Sequence, residues 1–201
     1  MKDYEARDGE GVLIGRAKGE SARRDVERAI RPLASGAPIA LDFKGVRSVS
    51  VPFADALLVP LLSNRMSGYY EDHPILVVNA TEDVGDTLAA TLERRNLFIL
   101  GTPPPRLLGG QQTLEETLQL ANELSPFSVL GLARELGITQ QAANNRVKLL
   151  LNSGALVRTR SVPARGGMEF LYAVPQPPGR RQRRLGQNGR SARGRAPSTA
   201  R

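Results

Sequence analysis

The sequence predicts an α/β sheet-and-helix domain, then an α+β domain of short helices closed by a hairpin, then a disordered basic tail. Three observations predict it. Short apolar runs alternate with amphipathic stretches of helical period through residue 100. A Pro- and Gly-rich segment, Gly-Thr-Pro-Pro-Pro-Arg-Leu-Leu-Gly-Gly-Gln, interrupts the chain at 101–111. Beyond residue 175 large apolar residues almost vanish while arginine accumulates. The expected organisation is therefore an α/β domain over 1–100, a linker over 101–111, a second domain over 112–175 and a tail over 176–201.

In the first region, Gly11 to Ile14 reads as a short strand. Glu20 to Leu33 reads as a helix with Val26, Ala29, Ile30 and Leu33 on its inner face. Pro38 to Phe43 reads as a strand. Pro52 to Arg65 is the next helix, with proline suited to its first turn and Ala54, Leu57, Leu58, Leu61 and Leu62 as its apolar set. Pro60 falls inside that run, where it costs about 3 kcal/mol, so a kink or a fresh start in packing is expected there. Ile75 to Val78 is apolar throughout, as in a strand covered on both faces. Thr81 to Arg95 is a third helix, with Thr81 as N-cap and Glu82 and Asp83 in its first turn. Phe98 to Leu100 closes the region as a strand.

The run at 101–111 carries three consecutive prolines, which favour extended backbone without internal hydrogen bonds. After it, Leu114, Leu118, Ala121 and Leu124 fall on one helical face. Ser125-Pro126 stops that helix and can cap the next, whose inner face is Val129, Leu132, Ala133 and Leu136. Gly137 follows, as a tight turn requiring positive φ demands. Thr139 caps a third helix running to about Ser153, with Ala143, Val147 and Leu150 inward. Leu149 points outward on the helical wheel. Gly154 ends the helix. Ala155 to Val162 and Met168 to Val174 read as two strands joined through Pro163 to Gly167.

Charge is distributed unevenly. The chain carries 28 basic and 20 acidic residues, a net +8. Eight arginines and no acid lie in 176–201, among them Arg180, Arg181, Arg183 and Arg184. The basic excess is thus a property of the tail, which attracts polyanions without selecting among them. Such a composition cannot bury enough surface to offset ordering entropy, hence the expected disorder.

Several chemistries find no support. There is no cysteine, so disulfides, thiolate zinc sites and cysteine nucleophiles are excluded, and a reducing cytoplasm is the expected location. No apolar run approaches the roughly 20 residues that span a bilayer, and no membrane partner is expected. His73 is the only histidine and precedes Pro74, which reads as a surface turn. No metal-ligand cluster, nucleophile elbow or phosphate loop is present. The expectation is a non-enzyme without cofactor or metal.

The series Leu-Ala-Arg-Glu-Leu-Gly-Ile-Thr-Gln-Gln-Ala-Ala-Asn-Asn-Arg-Val-Lys-Leu-Leu at 132–150, followed by Asn-Ser-Gly-Ala-Leu-Val-Arg at 152–158, resembles winged helix-turn-helix regulators of the MarR kind over about a quarter of the chain. The resemblance implies that Thr139 to Lys148 enters the major groove of DNA while the hairpin, or wing, touches the backbone or minor groove. Thr139, Gln140, Gln141, Asn144 and Asn145 are then the expected base-reading residues, since Gln and Asn can pair with adenine. Arg146, Lys148, Arg158, Arg160 and Arg165 are the expected phosphate and wing contacts. Many such proteins act as dimers on two half-sites, which leaves a homodimer open. Winged helices also serve as docking modules, and four amides are equally a solvated face.

The run Ile-Ala-Leu-Asp-Phe-Lys-Gly-Val-Arg-Ser-Val-Ser-Val-Pro-Phe-Ala-Asp-Ala-Leu at 39–57 resembles STAS-like domains, relatives of anti-sigma-factor antagonists, in the group with Phe-Ala-Asp after the loop. That implies a sensing or protein-docking role. Where the antagonists carry Asp-Ser-Ser-Gly, this chain has Ser50-Val51-Pro52-Phe53. Ser48 and Ser50 remain as candidates for a regulatory loop, against the plainer reading of Ser50 as a helix cap. Asp42 and Asp55 are expected to cap a loop or sit on a solvated face. Two functions follow: a duplex-DNA-binding transcriptional regulator, or an anti-sigma-antagonist-like interaction switch whose winged helix only docks partners. Non-specific coating of nucleic acid by the tail is a third.

Overall fold

The computed structural model describes residues 11–70, 73–164 and 167–178. It is a mixed α/β structure. Its strands are β1 (Val12–Leu13), β2 (Ile39–Asp42), β3 (Ser48–Val49), β4 (Ile75–Val78), β5 (Ile99–Thr102), β6 (Arg106–Leu108), β7 (Val157–Ala164) and β8 (Gly167–Ala173). Its helices are α1 (Arg16–Ile30), α2 (Val51–Met66), α3 (Glu82–Glu93), α4 (Gln112–Leu124), α5 (Val129–Glu135) and α6 (Gln140–Ser153). Among the described residues no helix is long and apolar enough to cross a membrane.

The central sheet has the order β2-β4-β5-β6, the first three strands parallel and β6 antiparallel. A separate parallel pair joins β1 to β3. Alternation along β4 and β5 divides their side chains between two cores. Ile75, Val77 and Ile99 join the cluster formed with α1, α2 and α3. Leu76 and Leu100 face the other way, into the cluster of α4, α5 and α6. The all-apolar run at 75–78 is therefore covered on both faces, and the C-terminal half covers the second.

This arrangement corrects the linker expected at 101–111. Thr102 ends β5, and Arg106–Leu108 returns as edge strand β6. Glu115 on α4 accepts a hydrogen bond from the Leu107 amide at 2.6 Å, and Gln119 donates to the Pro105 carbonyl at 2.7 Å. Side chains of α4 thus hold the segment beside the sheet edge, where otherwise unpaired backbone groups would stand exposed. The prolines do not extend the backbone as expected: Pro103 to Pro105 make the turn between β5 and β6, with cis peptide bonds at Thr102-Pro103 and Pro103-Pro104.

Two smaller expectations also change, the bounds and inner face of α1 and the loop before α2. Helix α1 begins at Arg16 and ends at Ile30, four and three residues before the expected bounds, and its buried face is Gly19, Ala22, Val26 and Ile30, leaving Ala29 and Leu33 exposed. Gly19 explains the shift in face: a Cβ there would stand 2.5 Å from the Phe53 carbonyl oxygen, so its absence lets α1 approach α2. Helix α2 runs through Pro60 as one element. Leu57, Leu58, Leu61 and Leu62 are fully buried around it, each contributing about 2 kcal/mol, which together outweighs the roughly 3 kcal/mol cost of the proline. Strand β3 lies where a loop was expected.

Candidate nucleic-acid interface

The helix pair α5–α6 is built from local signals. Ser128 caps α5, its Oγ accepting from the Gly131 amide at 3.2 Å; the cap is this residue and not Ser125. Gly137 takes φ 63° in the turn, open on the side where a Cβ would point. Thr139 caps α6, its Oγ1 accepting from the Ala142 amide at 3.2 Å. Gly154 closes α6 in the left-handed region at φ 86°.

The hairpin β7–β8 is tied to the start of this unit. Phe127 and Tyr172 exchange both backbone hydrogen bonds at 2.9 Å, and their rings lie 6.0 Å apart. The antiparallel ladder shifts register between Arg158 and Arg160. Arg158 is exposed and stacks its guanidinium 4.2 Å above the Phe170 ring. Arg165 and the side chain of Arg160 lie outside the described residues, as do Arg180, Arg181, Arg183 and Arg184.

Gln140, Gln141, Asn144, Asn145 and Lys148 are all exposed on α6, next to exposed Thr139. Neither the α/β half nor the hairpin covers them. Gln141 donates to Asn145 across one helical turn at 3.2 Å. Arg146 departs from expectation. It is half-buried, and its Nη1 donates to Thr117 Oγ1 at 3.1 Å and the Thr113 carbonyl at 3.4 Å, both on α4. Position 146 lies three residues from Ala143 and four from Leu150, at the margin of the buried stripe, so its side chain reaches across α4 instead of outward. Leu149 is 49 % exposed, as the wheel required.

The regulatory-loop candidates have structural roles or none apparent. Ser50 caps α2 and its Oγ also accepts from the Gly15 amide at 3.2 Å, joining α1 to α2. Ser48 is exposed on β3. Asp42 accepts from the Lys44 amide at 2.9 Å and from the Asn79 side chain at 2.8 Å. Burial pushes its carboxyl up, but those two bonds and the Lys44 charge outweigh it and leave the group below its ordinary value. Asp55 is bracketed by Arg16 at 3.2 Å and Arg95 at 3.0 Å.

His73 is not a surface turn residue. It is buried, and its Nδ1 donates to the Ala37 carbonyl at 2.8 Å. Its own carbonyl accepts from Arg65 Nε at 2.8 Å. Arg65 escaped the sequence reading altogether. It is buried at the end of α2, and its Nη1 donates to the carbonyls of Leu151, at 3.1 Å, and Asn152, at the end of α6. The available signal was a single basic residue in the last turn of a helix that carries no other. Among the described residues no group of three His, Cys, Asp or Glu side chains is placed to hold a metal ion.

No protein-family model matches the chain, and no curated protein matches it.

Proposed function

We propose that this chain is a transcriptional regulator of the cytoplasm that reads duplex DNA. In this reading residues 112–175 form a MarR-like winged helix-turn-helix, with α6 as recognition helix and β7–β8 as wing. The α/β part of the chain, from β1 through β6, forms a STAS-like unit that senses a signal or docks a partner. One observation carries the reading: Gln140, Gln141, Asn144 and Asn145 stand together and uncovered at the front of a capped helix. Amides in that position can offer paired donors and acceptors to base edges, and Lys148 beside them suits phosphate. Arg158 on the hairpin adds a second cationic contact, and the Arg-rich tail adds attraction without sequence preference.

Selection from a random duplex library by the full chain tests this. The expected result is a recovered consensus, flattened in the Gln141→Ala, Asn145→Ala double variant. Deletion of 176–201 should weaken binding to all duplexes alike and reduce its salt dependence. Retention of no duplex by the full chain overturns the reading in favour of a docking role for the same helix pair. An unchanged consensus in the double variant overturns the assignment of the reading residues.

A further inference from the structure

The two halves of the chain leave a groove between them of about 670 Å³, within the roughly 300–1,000 Å³ range of small-molecule sites. One wall comes from the end of α2 and the segments around Pro38 and Pro74; the other comes from the end of α6 and the start of β7. Its chemistry is one-sided. Among the described residues, the ionisable ones lining it are Arg65 and Arg158, and none is a carboxylate. Its apolar surface includes Met66, 52 % exposed, together with half-buried Val157. Methionine is a side chain that adapts to irregular shapes.

The two arginines differ in what they have left to give. Arg65 is committed to the carbonyls of His73, Leu151 and Asn152. Arg158 spends its flat face on the Phe170 ring. Stacking uses the face of a guanidinium and leaves its N–H edge for an oxyanion, the geometry in which arginine binds carboxylates and phosphates bidentately.

We infer that this groove binds a small organic anion, its oxyanion held by the edge of Arg158 and its apolar body against Met66 and Val157. The site lies against the clamp that holds the end of α6. Arg158 is also the hairpin cation of the proposed duplex contact, so an anion on its edge and a duplex phosphate draw on the same group and the two occupancies are linked. This linkage rests on the proposed duplex reading; the site itself does not.

The probe is 1-anilinonaphthalene-8-sulfonate, an apolar double ring bearing a sulfonate, followed by its fluorescence on titration into the full chain. N-phenyl-1-naphthylamine, the same skeleton without the charge, is the comparator. The expected result is saturable binding of the sulfonate, about tenfold or more tighter than the neutral compound. Arg158→Glu should weaken sulfonate binding by about tenfold or more, and Arg158→Lys should weaken it less. Equal affinity for the two probes, equal sulfonate affinity in wild type and Arg158→Glu, or no saturable binding overturns the site. Duplex affinity is then measured with and without saturating sulfonate. A change in affinity supports the linkage, and an unchanged affinity overturns it. Arg158-dependent probe binding by a chain that retains no duplex overturns the duplex reading and leaves the groove standing.

Discussion

A Cβ placed on Gly154 would stand 2.9 Å from Nε of Arg65, although the two residues belong to opposite halves of the chain. Gly154 thus meets two demands at once. It ends α6 at φ 86°, where any side chain is strained, and it leaves room for the guanidinium that takes up the last carbonyls of that helix. Arg65 acts as a C-terminal cap supplied from another element, which favours a cation at the negative end of the helix.

The first prediction separates these demands. Gly137→Ala meets only strain, since no atom lies within 4 Å of the added carbon, and should cost about 1–2 kcal/mol. Gly154→Ala adds the displacement of Arg65 from its acceptors and should cost about 3 kcal/mol or more. Urea unfolding of both variants checks the difference. In an Arg65→Ala background the Gly154 penalty should fall by about 0.5 kcal/mol or more, as residues in contact do. Equal penalties for the two glycines would show that the guanidinium exerts no such constraint.

Arg146 and Lys148 stand two residues apart on α6 and should fail in different ways. Arg146→Ala removes the bonds to Thr113 and Thr117 and should cost about 1 kcal/mol of stability. Its effect on duplex affinity should be small. Lys148→Ala should leave stability within about 0.5 kcal/mol while weakening duplex binding and reducing its salt slope by about 1. Thermal unfolding and anisotropy titrations at several salt concentrations report the two quantities. The reverse pattern would contradict the placement of these side chains.

Asp42 supplies a pH dependence whose sign can be worked out. Its carboxyl in the folded chain lies below its ordinary value of 3.8. The unfolded chain therefore binds the proton more readily, and stability rises with pH through this region. The contribution is fully present above the unfolded value and is lost as pH falls through the folded one. Asp42→Asn keeps an oxygen to accept from the Lys44 amide but removes the titration. Its urea midpoint should change less steeply than that of wild type between about pH 5 and pH 2. Parallel acid limbs in the two proteins would rule out the contribution.

Local chemistry was legible in the sequence wherever a residue's role depends on its immediate neighbours. Thr81 and Thr139 cap their helices, Gly137 takes positive φ, and Gly154 ends α6, because caps and tight turns are decided by donors, acceptors and sterics within a few residues. The period of apolar residues likewise located β4, α2, α3 and α6, and it placed Gln141 and Asn145 on the outer face of α6. What the period cannot specify is the surface that each face meets. Leu76 and Ile75 read alike in sequence, yet they enter different cores. Pro103 to Pro105 read as a spacer until β6 paired with β5. His73 and Arg65 lie 8 residues apart, and each acquires its role from partners that only tertiary packing brings near: Ala37 for one, Leu151 and Asn152 for the other. Contacts across tens of residues depend on how whole faces fit, and that information is spread along the chain and carried by no single motif.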